Sequence, residues 1–328
     1  MKISIAMATY NGAKYLQEQL DSFVDQTRLP DELVVCDDCS TDSTVEILQR
    51  FAEVAPFEVR VFVNEKNLGY AQNFGRALAL CTGDLIFLSD QDDVWFPEKL
   101  TVIENLAIED DYSQVFMNDA ELVYHDLSPT GLTKQGQIKS AGMAQSSFVM
   151  GCCMAIRRDF LQRLFPIPVS CKGHDVWLSK FAEGLQQRYI TSKVLQIYRR
   201  HESNESTFVA NKTHRVNKID TFSRKLHKIS ENRSIGSHSY DLTEAISLTN
   251  EVINFLTAWL DETSDQELKL KISDFKNSQK KTYKALKYRL EIRKMLVIER
   301  IFWGLNFYRK GGYEQFSDFL SYVRDILA

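Results

Sequence analysis

The chain is poor in proline and glycine, with 6 Pro and 14 Gly among 328 residues. That scarcity argues against a disordered, low-complexity or collagen-like chain. No stretch approaches the ~18–20 apolar residues of a membrane-spanning helix. The longest candidate, Ser147 to Ile156, is far shorter. The apolar run at Met1–Tyr10 is short and interrupted, and is not read as a signal peptide. Glycine-rich phosphate loops are also missing: no Gly-x-Gly-x-x-Gly follows the first predicted strand, and no Gly-x-x-x-x-Gly-Lys-Ser/Thr occurs. This argues against a dinucleotide-binding dehydrogenase and a P-loop enzyme. The six cysteines (36, 39, 81, 152, 153 and 171) form no disulfide framework, which favours a reducing cytoplasm. Cys36-x-x-Cys39 lacks a second pair at zinc-like spacing and brackets two aspartates after a strand, so neither metal nor redox chemistry is expected of it.

What is present is ordinary globular composition, 44% hydrophobic and 26% charged with a net charge of −4. A chain of this length buries about 75% of its unfolded surface and needs no staples. No bulk polyanion binder is indicated. The charge is uneven, however. Residues 1–210 hold 19 Lys+Arg against 29 Asp+Glu, and residues 211–328 hold 21 against 15. Two parts with different roles are expected, a domain over 1–205 and a helical domain over 206–328.

Ile3 to Ala8 reads as a short buried strand. Asn11-Gly12 is a turn, and Tyr15, Leu16, Leu20, Phe23 and Val24 recur at helical spacing. Leu33–Cys36, Val59–Val63 and Leu85–Leu88 are further strands. Ser43-Thr44-Val45-Glu46 reads as a capping box before a second helix, and Ala71–Leu80 as a third helix. The alternation predicts an α/β fold built of βαβ units with a mostly parallel sheet. Ligands in such sheets sit beyond the carboxyl ends of the strands. Thr9-Tyr10-Asn11, Asp37-Asp38 and Asp90-Gln91-Asp92-Asp93 fall there. Further on, Val115–Met117 and Leu122–Tyr124 look like two short strands, residues 127–146 like a polar loop or lid, and His174–Phe181 like a helix. Ile190–Tyr198 reads as a last strand before Arg199-Arg200-His201.

Asp90, Asp92 and Asp93 repel one another unless a cation neutralises them. Hard oxygen donors favour Mn²⁺ or Mg²⁺, which keep positions open for a substrate phosphate. The competing reading is a solvated acidic turn with Asp93 capping the next helix. Asp37-Asp38 tilts the balance towards metal and nucleotide. With no phosphate-binding glycines, a diphosphate here would be held through the metal.

Ala8-Thr9-Tyr10-Asn11-Gly12, Asp37-Asp38-Cys39-Ser40-Thr41-Asp42, Asn67-Leu68-Gly69, Thr82-Gly83-Asp84 and Asp90-Gln91-Asp92-Asp93 follow in order at family-like spacing. Over residues 1–205 the chain resembles a family 2 glycosyltransferase with the GT-A fold and its Asp-x-Asp motif. His174-Asp175 and Tyr198-Arg199-Arg200-His201 resemble the branch of rhamnosyl and glucosyl transferases that builds bacterial O-antigen and capsule. The resemblance implies an inverting transfer from a UDP- or dTDP-sugar to a saccharide acceptor. Thr9, Tyr10, Asn11, Asp37, Asp38, Asn73, Arg76 and Asp90 would serve the nucleotide, with Tyr10 stacking on its base, or else packing at the strand end. Asp92, Asp93 and His201 would hold the metal. Asp175 would be the general base, or else a helix cap. His174, Trp177, Arg199 and Arg200 would meet acceptor or phosphate, although such a Trp is more often core and the two arginines also suit a solvated strand end. The family usually has Gly where this chain has Cys39. A positive φ there would strain a cysteine.

Residues 271–310 hold 12 Lys+Arg against 3 Asp+Glu. Lys280–Lys310 reads as one helix with Lys280, Lys284, Lys287 and Lys294 on one face and Leu286, Leu290, Val297 and Ile301 on another. Such a helix suits an anionic membrane surface and a lipid-linked acceptor, packing on its own domain, or pairing with a second copy. No nucleic-acid recognition motif accompanies the charge. A cytoplasmic protein, peripheral on the inner face of the cell membrane, follows from this reading. A catalytically inactive glycan- or partner-binding protein of the same fold is the alternative. A nucleotidyltransferase and a phosphoacceptor receiver domain fit less well.

Overall fold

Six-residue Glu32–Asp37 (β2) is buried at every position, as a strand covered on both faces must be. It lies between Ile3–Thr9 (β1) and the half-exposed edge strand Glu58–Val63 (β3), parallel to both. Leu85–Ser89 (β4) pairs parallel on the other side of β1. In this computed structural model, which describes residues 1–171, 173–202, 204, 208–221, 242–316 and 319–327, the sheet has nine strands. One half of it runs in the order β3-β2-β1-β4. Helices Ala13–Val24 (α1), Thr44–Val54 (α2) and Tyr70–Leu80 (α3) make the crossovers. Leu16, Leu20, Phe23, Leu48 and Phe51 on two of them pack against Ile3, Ile5, Leu33, Val35 and Phe87 of the sheet. The expected α/β class is observed.

Beyond β4 the sheet becomes mixed. Val94–Trp95 (β5), helix Lys99–Glu109 (α4), Val115–Tyr124 (β6), Pro129–Thr133 (β7), helix Lys134–Ser140 (α5), Met154–Arg157 (β8), helices Arg158–Arg163 (α6) and His174–Gly184 (α7), and Arg188–Arg200 (β9) follow. The full order is β3-β2-β1-β4-β8-β6-β9-β5, with β7 paired to β6. β8 runs antiparallel to β4 and β6, while β6 runs parallel to β9.

Four local expectations are corrected. Residues 115–124 form one strand, because register shifts around Asp119 let β6 keep pairing with β9 past the polar Asn118-Asp119. Residues 127–146 are not a loop: β7 and α5 lie there, and Thr133 caps α5 by accepting the Gly136 N–H. Ser43 makes no side-chain cap; Asp42 takes the Thr44 N–H at 3.0 Å instead. The long C-terminal helix breaks at Met295-Leu296, where the Glu299 carboxylate accepts the Leu296 N–H at 2.9 Å.

The chain divides into two compact units, residues 1–217 and 218–328. In the second, helices Leu242–Glu262, Gln266–Lys294, Val297–Arg309 and Phe319–Leu327 are described. Buried Asp325 there accepts from Arg289 Nε (2.7 Å), Arg293 Nε (2.8 Å) and the Tyr313 hydroxyl (3.0 Å). No helix among the described residues is long and apolar enough to cross a membrane.

Candidate active site

The parallel register Thr9↔Asp37 and Met7↔Ser89 brings the carboxyl ends of β1, β2 and β4 to one edge. The loops leaving that edge are tied to one another by side chains. Asp37 accepts the Thr9 hydroxyl (2.8 Å) and the Ser40 N–H (2.8 Å). Asp38 accepts from Asn64 Nδ2 (2.6 Å) and from the Leu68 and Gly69 N–H groups (2.7 and 2.9 Å). Both carboxylates are buried, so they brace the loops that would surround a nucleotide. Asn73 is also buried, donating to the Cys36 carbonyl at 2.8 Å and accepting from Asn64 at 2.9 Å. It therefore belongs to the frame and not to an open face. Arg76 donates to Asn64 Oδ1 and lines a cavity of about 650 Å³ with Lys66, Gln72 and Ile167.

Tyr10 is 50% exposed, which removes the strand-end core reading. Its backbone is clasped by Gln91, which accepts the Tyr10 N–H at 2.9 Å and donates to the Tyr10 carbonyl at 3.0 Å. A Cβ on Gly12 would lie 2.2 Å from Gln91 Oε1, so glycine there leaves room for the clasp. Asn11 has φ +47°, donates its N–H to the Ser40 hydroxyl and accepts the Thr41 N–H, each at 2.8 Å. Cys39 adopts φ +65°, in the left-handed region that favours glycine, with its thiol donating to the Asn64 carbonyl at 3.0 Å.

The acidic loop divides its aspartates between two surroundings. Asp92 Oδ2 lies 2.7 Å from His201 Nε2 and 3.1 Å from Asn204 Nδ2. His201 stacks on Tyr15 with centroids 4.8 Å apart. Asp93 turns the other way: Oδ2 accepts from Gln196 Nε2 at 2.9 Å, and buried Oδ1 has no partner. It therefore does not join Asp92 and His201, and it precedes β5 instead of capping a helix. Lys99 Nζ donates to Gln196 Oε1 (2.5 Å) and the Cys152 carbonyl (3.0 Å), 3.7 Å above the Trp95 ring. Lys134 Nζ lies 3.4 Å from the Tyr198 centroid.

Burial dominates the electrostatics. It raises Asp93 to about 7, helped by Asp92 and opposed by the Cys152 thiol, then Lys99 and Lys134. Burial, then Asp93 and Asp92, hold Asp90 well above the ordinary carboxylate range. The same desolvation pulls Lys99 down to about 8 and Lys134 to about 7. Asp90, Asp93 and Cys152 present ligand atoms within 4.8 Å of one another. The Cys152 thiol is held well above its ordinary value by its hydrogen bond with Cys153 and by burial, so it is no thiolate donor. Asp90 and Asp93 offer carboxylate oxygens close together, the donors a hard divalent cation takes, while Asp92 and His201 form a separate pair.

His174 and Asp175 open α7, against Gly151. A Cβ on Gly151 would meet His174 Nε2 at 2.7 Å and Asp175 Cβ at 3.6 Å. His174 is buried and stacked on Phe74 with centroids 4.1 Å apart; neither ring nitrogen has a partner, and burial lowers its pKa. Asp175 Oδ1 accepts the Val176 N–H at 2.8 Å, and its charge contributes to raising Asp90. Two expectations are corrected. Trp177 is a core residue, 1% exposed, with Nε1 donating to the Leu164 carbonyl at 3.0 Å, so it lines no acceptor surface. Arg199 is neither solvated nor free for phosphate. Nε and Nη1 donate to the Asp92 and His125 carbonyls at 3.0 Å each, and Nη2 pairs with Glu18. Arg200 differs: its buried Nη1 has no partner.

Sequence reasoning missed Gln91, Asn64, Lys99, Lys134 and Gln196. Gln91 stood inside the acidic motif, and Asn64 just before Asn67-Leu68-Gly69. The two lysines carry no local signal, because lysine is normally solvated.

An α/β sheet whose strand ends gather an aspartate-rich loop without phosphate-binding glycines has the architecture of a GT-A nucleotide-sugar transferase. Two solved structures share the fold. Residues 1–349 of TarS of S. aureus, in complex with UDP-GlcNAc, align with TM-score 0.55 at 17% identity, covering 100% of this chain and 90% of that fragment. The mannosyltransferase PcManGT of Pyrobaculum calidifontis, in complex with GDP-Man and Mn²⁺, aligns with TM-score 0.51 at 14% identity, over 99% and 85%. Residues 4–165, just under half of the chain, match the family described as Glycosyl transferase family 2. The dTDP-rhamnosyl transferase RfbG of Shigella flexneri is 28% identical over 217 residues, 61% of this chain and 73% of RfbG. Other curated relatives are matched over shorter shares of their length, 54% in one and 36% in another.

Proposed function

We propose that the chain is an inverting, metal-dependent glycosyltransferase. It would take the sugar of a UDP- or dTDP-linked donor, such as glucose or rhamnose, and pass it to a saccharide acceptor in bacterial O-antigen or capsule synthesis. The acceptor would be lipid-linked, with the chain in the cytoplasm on the inner face of the membrane. Residues 1–205 would carry transfer, with residues 206–328 as a helical domain for membrane contact or pairing with a second copy. No nucleic-acid partner is proposed.

The carrying observation is the convergence of Asp92 and His201 at 2.7 Å on the strand-end edge, beside Asp90. RfbG's name supports a deoxythymidine donor, and the UDP-GlcNAc of TarS a uridine one. The Mn²⁺ with GDP-Man in PcManGT supports the metal.

Asp175 would take the acceptor hydroxyl proton as that oxygen attacks the anomeric carbon from the face opposite the diphosphate, whose bond to the sugar breaks. Asp92 and His201, with Asp90 nearby, would hold Mn²⁺ or Mg²⁺, while Asp93, turned to Gln196, would stand apart from them. The ion supplies charge neutralisation of the leaving diphosphate. Arg200, whose buried Nη1 has no partner, would be a cation for a phosphate. Half-exposed Tyr10 would stack on the base, between Thr9 and Asn11. Asp37, Asp38, Asn73 and Arg76 would shape the nucleotide site by holding its loops. His174, kept neutral by burial, would orient the start of α7 next to Asp175.

Calorimetric titration with UDP, dTDP, GDP and CMP tests this, first with Mn²⁺ and then with EDTA. One nucleotide should bind tightly with metal, and Asp92→Ala should reduce that binding at least ~10-fold, about 1.4 kcal/mol. Asp175→Asn should bind the same nucleotide normally and transfer at most ~1% of the wild-type rate. Metal-independent binding would remove the role given to Asp92. Failure to bind any nucleotide would favour the inactive binding protein.

A further inference from the structure

The second unit carries a surface its own core does not use. Leu296 (72%), Val297 (60%), Ile298 (77%), Ile301 (46%), Phe302 (68%) and Trp303 (42%) are all substantially exposed. They occupy the turn after helix Gln266–Lys294 and the first half of helix Val297–Arg309. Positions 297, 298, 301 and 302 recur one turn apart, so they share one stripe. The opposite face is occupied. Gly304 is buried, and a Cβ there would lie 3.0 Å from the Tyr322 ring. Arg300 Nε donates to the Met295 carbonyl at 2.8 Å. Meanwhile Leu286 and Ile292 of the preceding helix are buried. The stripe is therefore surplus apolar surface, and a patch of this kind marks an interaction site.

The surrounding charge says what covers it. Residues 271–310 hold 12 Lys+Arg against 3 Asp+Glu. Among the described residues Lys281, Lys284, Lys287, Arg309 and Lys310 make no salt bridge, whereas the paired cations nearby are Arg289, Arg293 and Lys294. A second copy seated on the stripe would bring two such cationic regions together. An anionic lipid surface complements both properties, taking the apolar stripe at the acyl boundary and the lysines at the headgroups. Phe302 and Trp303, packed edge-to-face at 5.7 Å, are side chains that favour that boundary.

We propose that the turn at Met295–Leu296 and the outward stripe Val297–Phe302 dock laterally on an anionic lipid bilayer. The 13-residue helix would lie in the interface and not cross it. The proposal deepens the lipid-linked acceptor reading by naming the surface that brings the chain to its substrate.

The test is vesicle flotation of the full chain without donor or acceptor, so that a failure of the transfer reading leaves the result interpretable. Vesicles are phosphatidylcholine alone, or phosphatidylcholine with about 30% phosphatidylglycerol. The anionic vesicles should bind at least ~10-fold more protein, and about 0.5 M salt should remove most of that gain. I298E/F302E and the milder I298S/F302S should each lower capture ~10-fold or more while circular dichroism and thermal midpoint stay at wild type. Equal capture by both vesicle types overturns the proposal, as does undiminished capture of either folded variant. So does a wild-type dimer in light scattering that I298E/F302E splits while neither protein floats.

Discussion

Cys39 holds a left-handed backbone, φ +65°, that costs an L-residue ~1–2 kcal/mol. Glycine removes that strain but gives back ~0.5–1 kcal/mol in chain entropy. Cys39→Gly should therefore raise stability by about 0.5–1 kcal/mol, read as a higher urea midpoint at unchanged m-value. A lower midpoint would mean that the thiol's hydrogen bond to Asn64 outweighs the strain. Gly12 presents the opposite case. An added methyl 2.2 Å from Gln91 Oε1 must expel Gln91 from the Tyr10 backbone. Gly12→Ala should weaken nucleotide binding at least ~10-fold, and Gln91→Ala, which frees the same backbone without a clash, should do likewise. Wild-type affinity in both would show that the clasp does not position Tyr10. The divergence of neighbouring Arg199 and Arg200 belongs to the same scale. Adjacent residues on a strand face opposite ways, so one arginine is locked to Glu18 and two carbonyls while the other keeps a free donor.

Among the elements, β2 offers the clearest titration. Burial alone would raise Glu32, but the Ser4 hydroxyl, the Thr82 N–H and hydroxyl, and Arg60 bring it down to about 2. A folded pKa below the unfolded one means that this stabilisation is present above pH 4.5 and lost as pH falls through 2. Glu32→Gln should cost about 3 kcal/mol at pH 7 and flatten stability against pH across that window. An unchanged acid limb in calorimetry would remove Glu32 from the account. The elements legible in sequence were those whose apolar residues keep a period of 2 or 3.6, namely the first four strands, the helices between them, α7 and β9. The continuity of β6 and the presence of β7 and α5 were not. Asn118 and Asp119 interrupt β6, and α5 buries Lys134 and Gln137. Gln137 Nε2 donates to the carbonyls of Lys212 and His214 (2.8 Å each), some 75 residues away. Such partners leave no local pattern.

Across the whole molecule, each unit has its own buried network. Asp325, closed in by Arg289, Arg293 and Tyr313, anchors the second. Asp325→Asn leaves the buried Arg289 and the partly buried Arg293 guanidinium groups uncompensated and should cost ~3–5 kcal/mol in that unit. Amide exchange should accelerate across 242–327 while β1, β2 and β4 stay protected. Loss of protection in those strands as well would show that the units unfold together. What the chain's own order of residues determined was the α/β architecture, the resemblance to family 2 glycosyltransferases and the strand-end motifs. These depend on periodicity and on short contiguous runs, which local sequence carries in full. Tertiary structure alone decided which motif residues converge. It brought Asp92 to His201 across 109 positions, turned Asp93 inward to Gln196 and enclosed Trp177. Convergence of that kind follows from strand register and burial, which arise only when distant segments pack and exclude water.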